Sequence, residues 1–159
     1  MFERLFGSGE KDPATAGRIP PGQYKTEKFP VLHYGSVPPT DLATWDFKVY
    51  GEVDSPFTLT WEQFKALPRK TVKTDIHCVT RWTKLDTEWE GVPIQAVLEL
   101  AGVRPSATHV VSHAEQGYTA NVPLGVLDDD DVLLADTFDG QPLEPEHGYP
   151  LRLFIPKKY

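Results

Sequence analysis

The chain has a single cysteine, Cys78, so it cannot close an internal disulfide and offers no CxxC pair for an ordinary zinc site. It also lacks an HExxH signature, a glycine-rich phosphate loop of the P-loop or dinucleotide type, and EF-hand spacing. The histidines, at positions 33, 77, 109, 113 and 147, are too dispersed to read as a metal cluster. Positive charge is scarce: 16 Lys and Arg against 23 Asp and Glu leave a net charge of −7. That excludes the broad basic footprint a nucleic-acid partner needs. Any anion site must then be built locally from a few arginines, histidines and backbone amides. No window is long and apolar enough to span a membrane. The opening MFERLFGSGEKD has Phe2, Leu5 and Phe6 but no continuous hydrophobic stretch, so neither signal peptide nor anchor is expected. These absences together predict a cytoplasmic protein.

What remains suits one soluble domain with a real core: 159 residues, 40% hydrophobic and 25% charged. Fifteen prolines and twelve glycines favour many turns and short strands over a helix bundle. Residues 1–30 read as an arm or loop wrapped over a domain at 31–159, because apolar periodicity is almost absent before Phe29. Trp45–Tyr50 alternates as a half-buried strand, and Phe57–Leu59 returns as another. Thr60 and Gln63 form a capping-box pattern that opens a helix through about Leu67. A second helix begins near Pro93, carries Ile94, Val97, Leu98 and Ala101 on one face, and stops at Gly102. His109–Ser112 and Tyr118–Val122 pair around Gln116–Gly117, and Asp128–Asp131 reads as a solvated loop. Val132–Ala135 is a buried strand, Asp139–Gly140 a hairpin turn, and Leu151–Ile155 a return strand. The expected class is α+β, mostly antiparallel strands with two or three short helices packed on them.

Cys78 ends an alternating strand in which Val72, Thr74 and Ile76 share its face while Lys73, Asp75 and His77 take the other. Beyond it come Thr80, Arg81, Trp82, Thr83 and Lys84, an electropositive setting that favours thiolate. The residues alone leave three readings open: an inert core thiol, a nucleophile, or a ligand for a soft metal.

The stretch WDFKVYGEVDSPFTLTWEQFKALPRKTVKTDIHCVTRWTKLDTEWEG at Trp45–Gly91 resembles the oxidoreductase molybdopterin-binding domain of the sulfite oxidase superfamily. So does LLADTFDGQPLEPEHGYPLRLFIPKKY at Leu133–Tyr159. With RIPPGQ and FPVLHYG, the similarity runs from Arg18 onward. The resemblance implies a molybdenum-bearing pterin, with Cys78 as the protein thiolate on the metal. It implies that Arg152, in GYPLR, holds the cofactor through its phosphate, and that His147 contacts it at a position where relatives often carry Asn. His33, Tyr34 and Gly35 match the loop against the pterin, and Ser112 or His113 is a further candidate. Arg81 and Trp82 are expected to shape the substrate mouth.

The implied reaction is two-electron oxygen-atom transfer on a small S- or N-containing compound, with electrons passing to or from a separate protein. HCVTRW is closer to the bacterial methionine-sulfoxide-reductase-like arm than to the arginine-rich stretch of true sulfite oxidases. Neither a haem domain nor an immunoglobulin-like dimerisation domain fits this length. Relatives continue past the PKKY at Tyr159 with a segment rich in Lys, Ser and Trp that helps close the pterin site. The alternatives are a non-catalytic binding module of the same fold and a metal-free redox thiol protein using Cys78.

Overall fold

The computed structural model describes residues 15–159. The expectation for the opening apolar residues lies outside that range. The organising element is a twelve-residue strand, β5 (Trp82–Pro93). Along one side runs β4 (Lys70–His77), antiparallel to it. Along the other run first β1 (Tyr24–Lys25), parallel, and then β8 (Leu133–Phe138), antiparallel. β8 in turn pairs with β9 (Gln141–Pro142) and with β10 (Arg152–Phe154), both antiparallel. Two small hairpins complete the strands: β2 (Asp46–Val49) with β3 (Phe57–Thr60), and β6 (His109–His113) with β7 (Thr119–Pro123). The helices are α1 (Trp61–Lys65) and α2 (Ile94–Ala101), alongside short 3-10 turns. The architecture is α+β, as the sequence predicts.

Alternation along β8 and β10 explains why the six-stranded sheet is covered on both faces. Leu134 and Ile155 join Val92, Phe64, Val97 and Leu127 on the helix side, whereas Leu133, Ala135 and Phe154 join Val72, Ile76, Trp82 and Trp89 on the other. α2 buries Ile94, Val97 and Ala101 on the first face, and each larger apolar side chain there contributes about 1.5–3 kcal/mol. Among the described residues the second face carries no α-helix. It is roofed by Phe29 from the arm, Phe138 at the end of β8, and Tyr149 and Tyr159 from the C-terminal segment.

Local chemistry fixes the turns. Thr60 caps α1 and Gln63 reaches back to the Thr60 amide, completing the capping box. Asp139 and Gly140 both have positive φ, 46° and 77°, the geometry of a two-residue hairpin turn between β8 and β9. β4 and β5 lose register between Thr74 and Ile76. There the Asp75 carboxylate accepts the Asp86 amide and two hydrogen bonds from Arg18, which pins the arm to the irregularity. On the opposite side Asp136, almost wholly buried, accepts from both terminal nitrogens of Arg69 at 2.7 and 2.9 Å, from Lys65 at 3.1 Å and from Thr137 at 2.7 Å. The acidic run at Asp128–Asp131 is a loop whose Asp129 and Asp130 pair with Lys157 and Lys70. Among the described residues no group of three His, Cys, Asp or Glu could hold a metal ion.

Candidate functional site

Cys78 opens the turn that joins β4 to β5. Its carbonyl accepts the Arg81 amide at 2.9 Å, and its own amide donates to the Trp82 carbonyl at 2.9 Å. Arg81 closes the turn in the left-handed region, at φ 73°. The thiol is half-buried against the core face of Val72, Ile76 and Trp82, and Val79 beside it is 89% exposed. The Thr80 hydroxyl donates to Cys78 Sγ at 3.1 Å. The sulfur therefore sits at the rim of the core, reachable from solvent. Arg81 is exposed and makes no hydrogen bond or ion pair with another described side chain. Lys84, expected beside the thiol, instead donates to the Glu27 carbonyl at 3.0 Å. Trp82 is 5% exposed and packs on Phe29, so it belongs to the core rather than to a mouth.

Arg152 starts β10, on the same face. Its guanidinium lies 5.8 Å from the Phe29 ring, 5.6 Å from Trp89 and 5.3 Å from Tyr159. One terminal nitrogen donates to the Tyr159 hydroxyl at 2.7 Å, the other to the His147 carbonyl at 3.3 Å. No carboxylate among the described residues pairs with it. His147 stacks on Phe29 at 3.8 Å, and its Nε2 lies 3.1 Å from the Phe29 carbonyl. Gly148 takes φ 108°, and a Cβ there would come within 3.2 Å of Arg152 Cβ; glycine lets the chain double back onto Arg152. A hollow of about 210 Å³ lies behind this cage, lined by Phe29, Phe138, Leu143, Glu144 and His147, and includes neither Cys78 nor Arg152.

The remaining predicted residues form a third group. His33 Nδ1 lies 2.9 Å from the Gly35 carbonyl, and Tyr34 is 70% exposed with its ring 5.2 Å from Tyr118. Gln116 bonds the Ser36 hydroxyl, so the loop rests on the tip of the β6–β7 hairpin. Ser112 and His113 lie on that hairpin, with the His113 ring 6.0 Å from Tyr50. The structure thus joins His147 to Arg152, and sets the His33–Gly35 loop against the hairpin of Ser112 and His113. No hydrogen bond or ring contact among the described residues ties this third group to Cys78 or Arg152. Sequence reasoning missed Phe29, Trp89 and Tyr159 as the walls around Arg152. The only signal for Phe29 was its place where apolar character returns after a long polar run.

Cys78 and Arg152 thus lie on the same face of the sheet, one a half-buried thiol and the other a guanidinium that no described carboxylate pairs with. Comparison with known proteins gives the family. Residues 34–159 match the family described as oxidoreductase molybdopterin binding domain. The chain belongs to that family, within the sulfite oxidase superfamily.

The chain is 48% identical over 145 residues to the uncharacterized oxidoreductase YuiH of Bacillus subtilis (strain 168), covering 91% of this chain and 73% of that protein. It is 29% identical over 150 residues to a putative protein-methionine-sulfoxide reductase subunit, YedZ1, of Azospira oryzae, covering 92% of this chain and 57% of the relative. The solved structure of the sulfane dehydrogenase SoxCD from Paracoccus pantotrophus matches with a TM-score of 0.69 and 25% identity, over 79% of this chain and 37% of that one.

Proposed function

We propose that the chain is a molybdopterin-dependent oxidoreductase that performs two-electron oxygen-atom transfer on a small sulfur- or nitrogen-containing compound, with Cys78 as the protein ligand of the metal. The observation that carries this reading is the placement of Cys78: half-buried at a rigid turn, with Thr80 donating to the sulfur. The donor set fits the group. A soft thiolate suits molybdenum, and a planar guanidinium held by neutral partners suits a phosphate. When bound, the cofactor supplies the redox chemistry and the oxygen transfer.

The chain's own residues then bind and orient. Arg152 presents its guanidinium to the cofactor phosphate, and Phe29, Trp89 and Tyr159 keep that charge from relaxing toward water. His147 locks Phe29 in place. His33, Tyr34 and Gly35, with Ser112 and His113 opposite, form the outer wall of the pterin site. Arg81, exposed and without an ion-pair partner among the described residues, orients an oxygen-bearing small-molecule substrate next to Cys78. A separate electron donor or acceptor protein completes the cycle. Among the described residues no helix is long and apolar enough to cross a membrane. We place the protein in the cytoplasm, where a half-buried, unpaired thiol stays reduced.

The test is elemental analysis and oxidised-pterin fluorescence of protein purified from a host that makes the cofactor. Near-equimolar molybdenum in the wild type, lost in Cys78→Ser without loss of fold, is the expected result. A Cys78→Ser protein that keeps both pterin and full turnover disproves the ligand role, and a wild-type protein without molybdenum disproves the whole reading. A redox-dye screen with S-oxides, N-oxides and sulfite then assigns the substrate.

A further inference from the structure

The turn that carries Cys78 is gripped from outside by the N-terminal arm. Tyr24 donates its amide to the Arg81 carbonyl at 3.0 Å and Thr26 to the Thr83 carbonyl at 2.8 Å, so β1 lies against the C-terminal end of the turn. Just before β1, the half-buried Gln23 places its side-chain amide between two groups. Its Nε2 donates to the Cys78 carbonyl at 3.2 Å, and its Oε1 accepts the Thr83 hydroxyl at 2.7 Å. We propose that Gln23 is a positioning residue for Cys78, holding the carbonyl of the metal-ligating residue so that its sulfur keeps one direction. This rests on the reading of Cys78 as the ligand.

The direction of the grip follows from donor arithmetic. The Thr83 hydroxyl has one proton, and it goes to Gln23 Oε1. The 3.0 Å contact between His77 Nδ1 and the same hydroxyl must then be donated by the imidazole, which fixes the Nδ1–H form. With Oε1 committed to Thr83, the amide nitrogen of Gln23 faces Cys78. A flipped amide would set two acceptor oxygens against each other. Thr83 is fully buried, so this order cannot be exchanged for water.

His77, Thr83 and Gln23 therefore form a one-way chain of hydrogen bonds that ends on the backbone of Cys78. The Cys78 carbonyl takes a second bond from the Arg81 amide, and Arg81 is the turn residue held at positive φ. Loss of the Gln23 bond removes one of the two restraints on that carbonyl and frees the turn to relax around Arg81. The Thr80 hydroxyl then no longer meets the sulfur at a fixed angle.

The test compares Gln23→Met, similar in shape but without either bond, with Thr83→Val, which leaves the Gln23 donor facing Cys78. Both are made in the full chain, purified with cofactor from a competent host. Three properties are read: molybdenum retained after dialysis, the position of the sulfur-to-metal charge-transfer band, and the rate of Cys78 alkylation by iodoacetamide in metal-free protein. Groups that orient a metal ligand are worth 10–100-fold in affinity, so Gln23→Met should lower metal affinity by about ten-fold or more. It should also shift the band and change the alkylation rate, while the metal-free melting temperature falls no further than in Thr83→Val. Thr83→Val should do less on all three.

Wild-type values for Gln23→Met on all three overturn the proposal. So do equal losses in both variants that track a fall in the metal-free melting temperature, because they mark simple docking of the arm. Failure of the ligand reading shows elsewhere, as a wild-type protein without molybdenum or a Cys78→Ser protein that keeps both pterin and full turnover.

Discussion

Arg69 and Arg152 are both partly buried and both lie beside the main sheet, yet their charges are answered differently. Arg69 donates to Glu90 and to both oxygens of Asp136, so it meets its counter-charge inside the fold. Its hydrogen bond to Asp136 raises the guanidinium further above its already high value. Arg152 has a phenol, a carbonyl and three aromatic faces. Cation–π contacts contribute about 0.5–2 kcal/mol, less than the cost of taking a cation out of water unpaired. The first arginine is a staple between β5 and β8, just beyond α1; the second, on the function proposed above, would receive an anion from outside the chain.

The sharpest way to break the comparison is to remove the staple. Asp136→Ala leaves Arg69 and Lys65 without their common partner and should cost about 3–5 kcal/mol, read by urea unfolding of the metal-free protein. A loss below about 1 kcal/mol, the size of a surface pair, would show that the two arginines are not so different. The pH dependence follows from the same contact. Burial pushes the Asp136 carboxyl up, but bonds from Arg69, Thr137 and Lys65 outweigh it and hold the group below the usual range. A depressed folded value means the stabilisation is complete above the unfolded pKa of about 4 and is lost as pH falls through the folded value. Asp75, lowered mainly by its hydrogen bond from Arg18, acts in the same direction. Acid destabilisation below about pH 4 should flatten, though not vanish, in Asp136→Ala.

Arg152→Ala should give the reverse pattern. With only neutral partners to lose, metal-free stability should change far less than in Asp136→Ala. Cofactor affinity should fall by about 1.5–3 kcal/mol, the worth of charged hydrogen bonds, read as pterin content after dialysis. Arg152→Lys should restore little, because an ammonium neither binds a phosphate bidentately nor lies flat among three rings. Unchanged pterin content in Arg152→Ala would make the cage a packing feature.

Much of this contrast was hidden in the sequence, and the reason is distance along the chain. Alternation at Trp45, Phe47 and Val49, the capping box at Thr60 and the Asp139–Gly140 turn are local signals, and all three correspond to structure. β5 was harder to read because Thr83 and Thr87 face inward and are fully buried, where a pattern reader expects apolar residues. They can be there because Thr83 bonds Gln23 and Thr87 bonds the Thr74 carbonyl, partners no window around β5 contains. Of the site, the rim position of Cys78 was readable from its strand. The walls around Arg152 come from Phe29, Trp89 and Tyr159, which only tertiary folding brings together.

The smallest effect tests how the staple is delivered. α1 has five residues, too few to persist alone, so its cap and its burial of Phe64 must hold it. Thr60→Ala removes the acceptor for the Gln63 amide and should cost about 1 kcal/mol by urea unfolding. Pterin content should not move, because α1 lies on the helix-covered face, opposite Arg152. Part of the cost should reach Asp136 through Lys65, in the last turn of α1. The double variant Thr60→Ala, Asp136→Ala should therefore lose less than the two single losses combined. Strict additivity would mean that the cap supports only the packing of Phe64, and that Arg69, which lies beyond the helix, holds Asp136 without help from it.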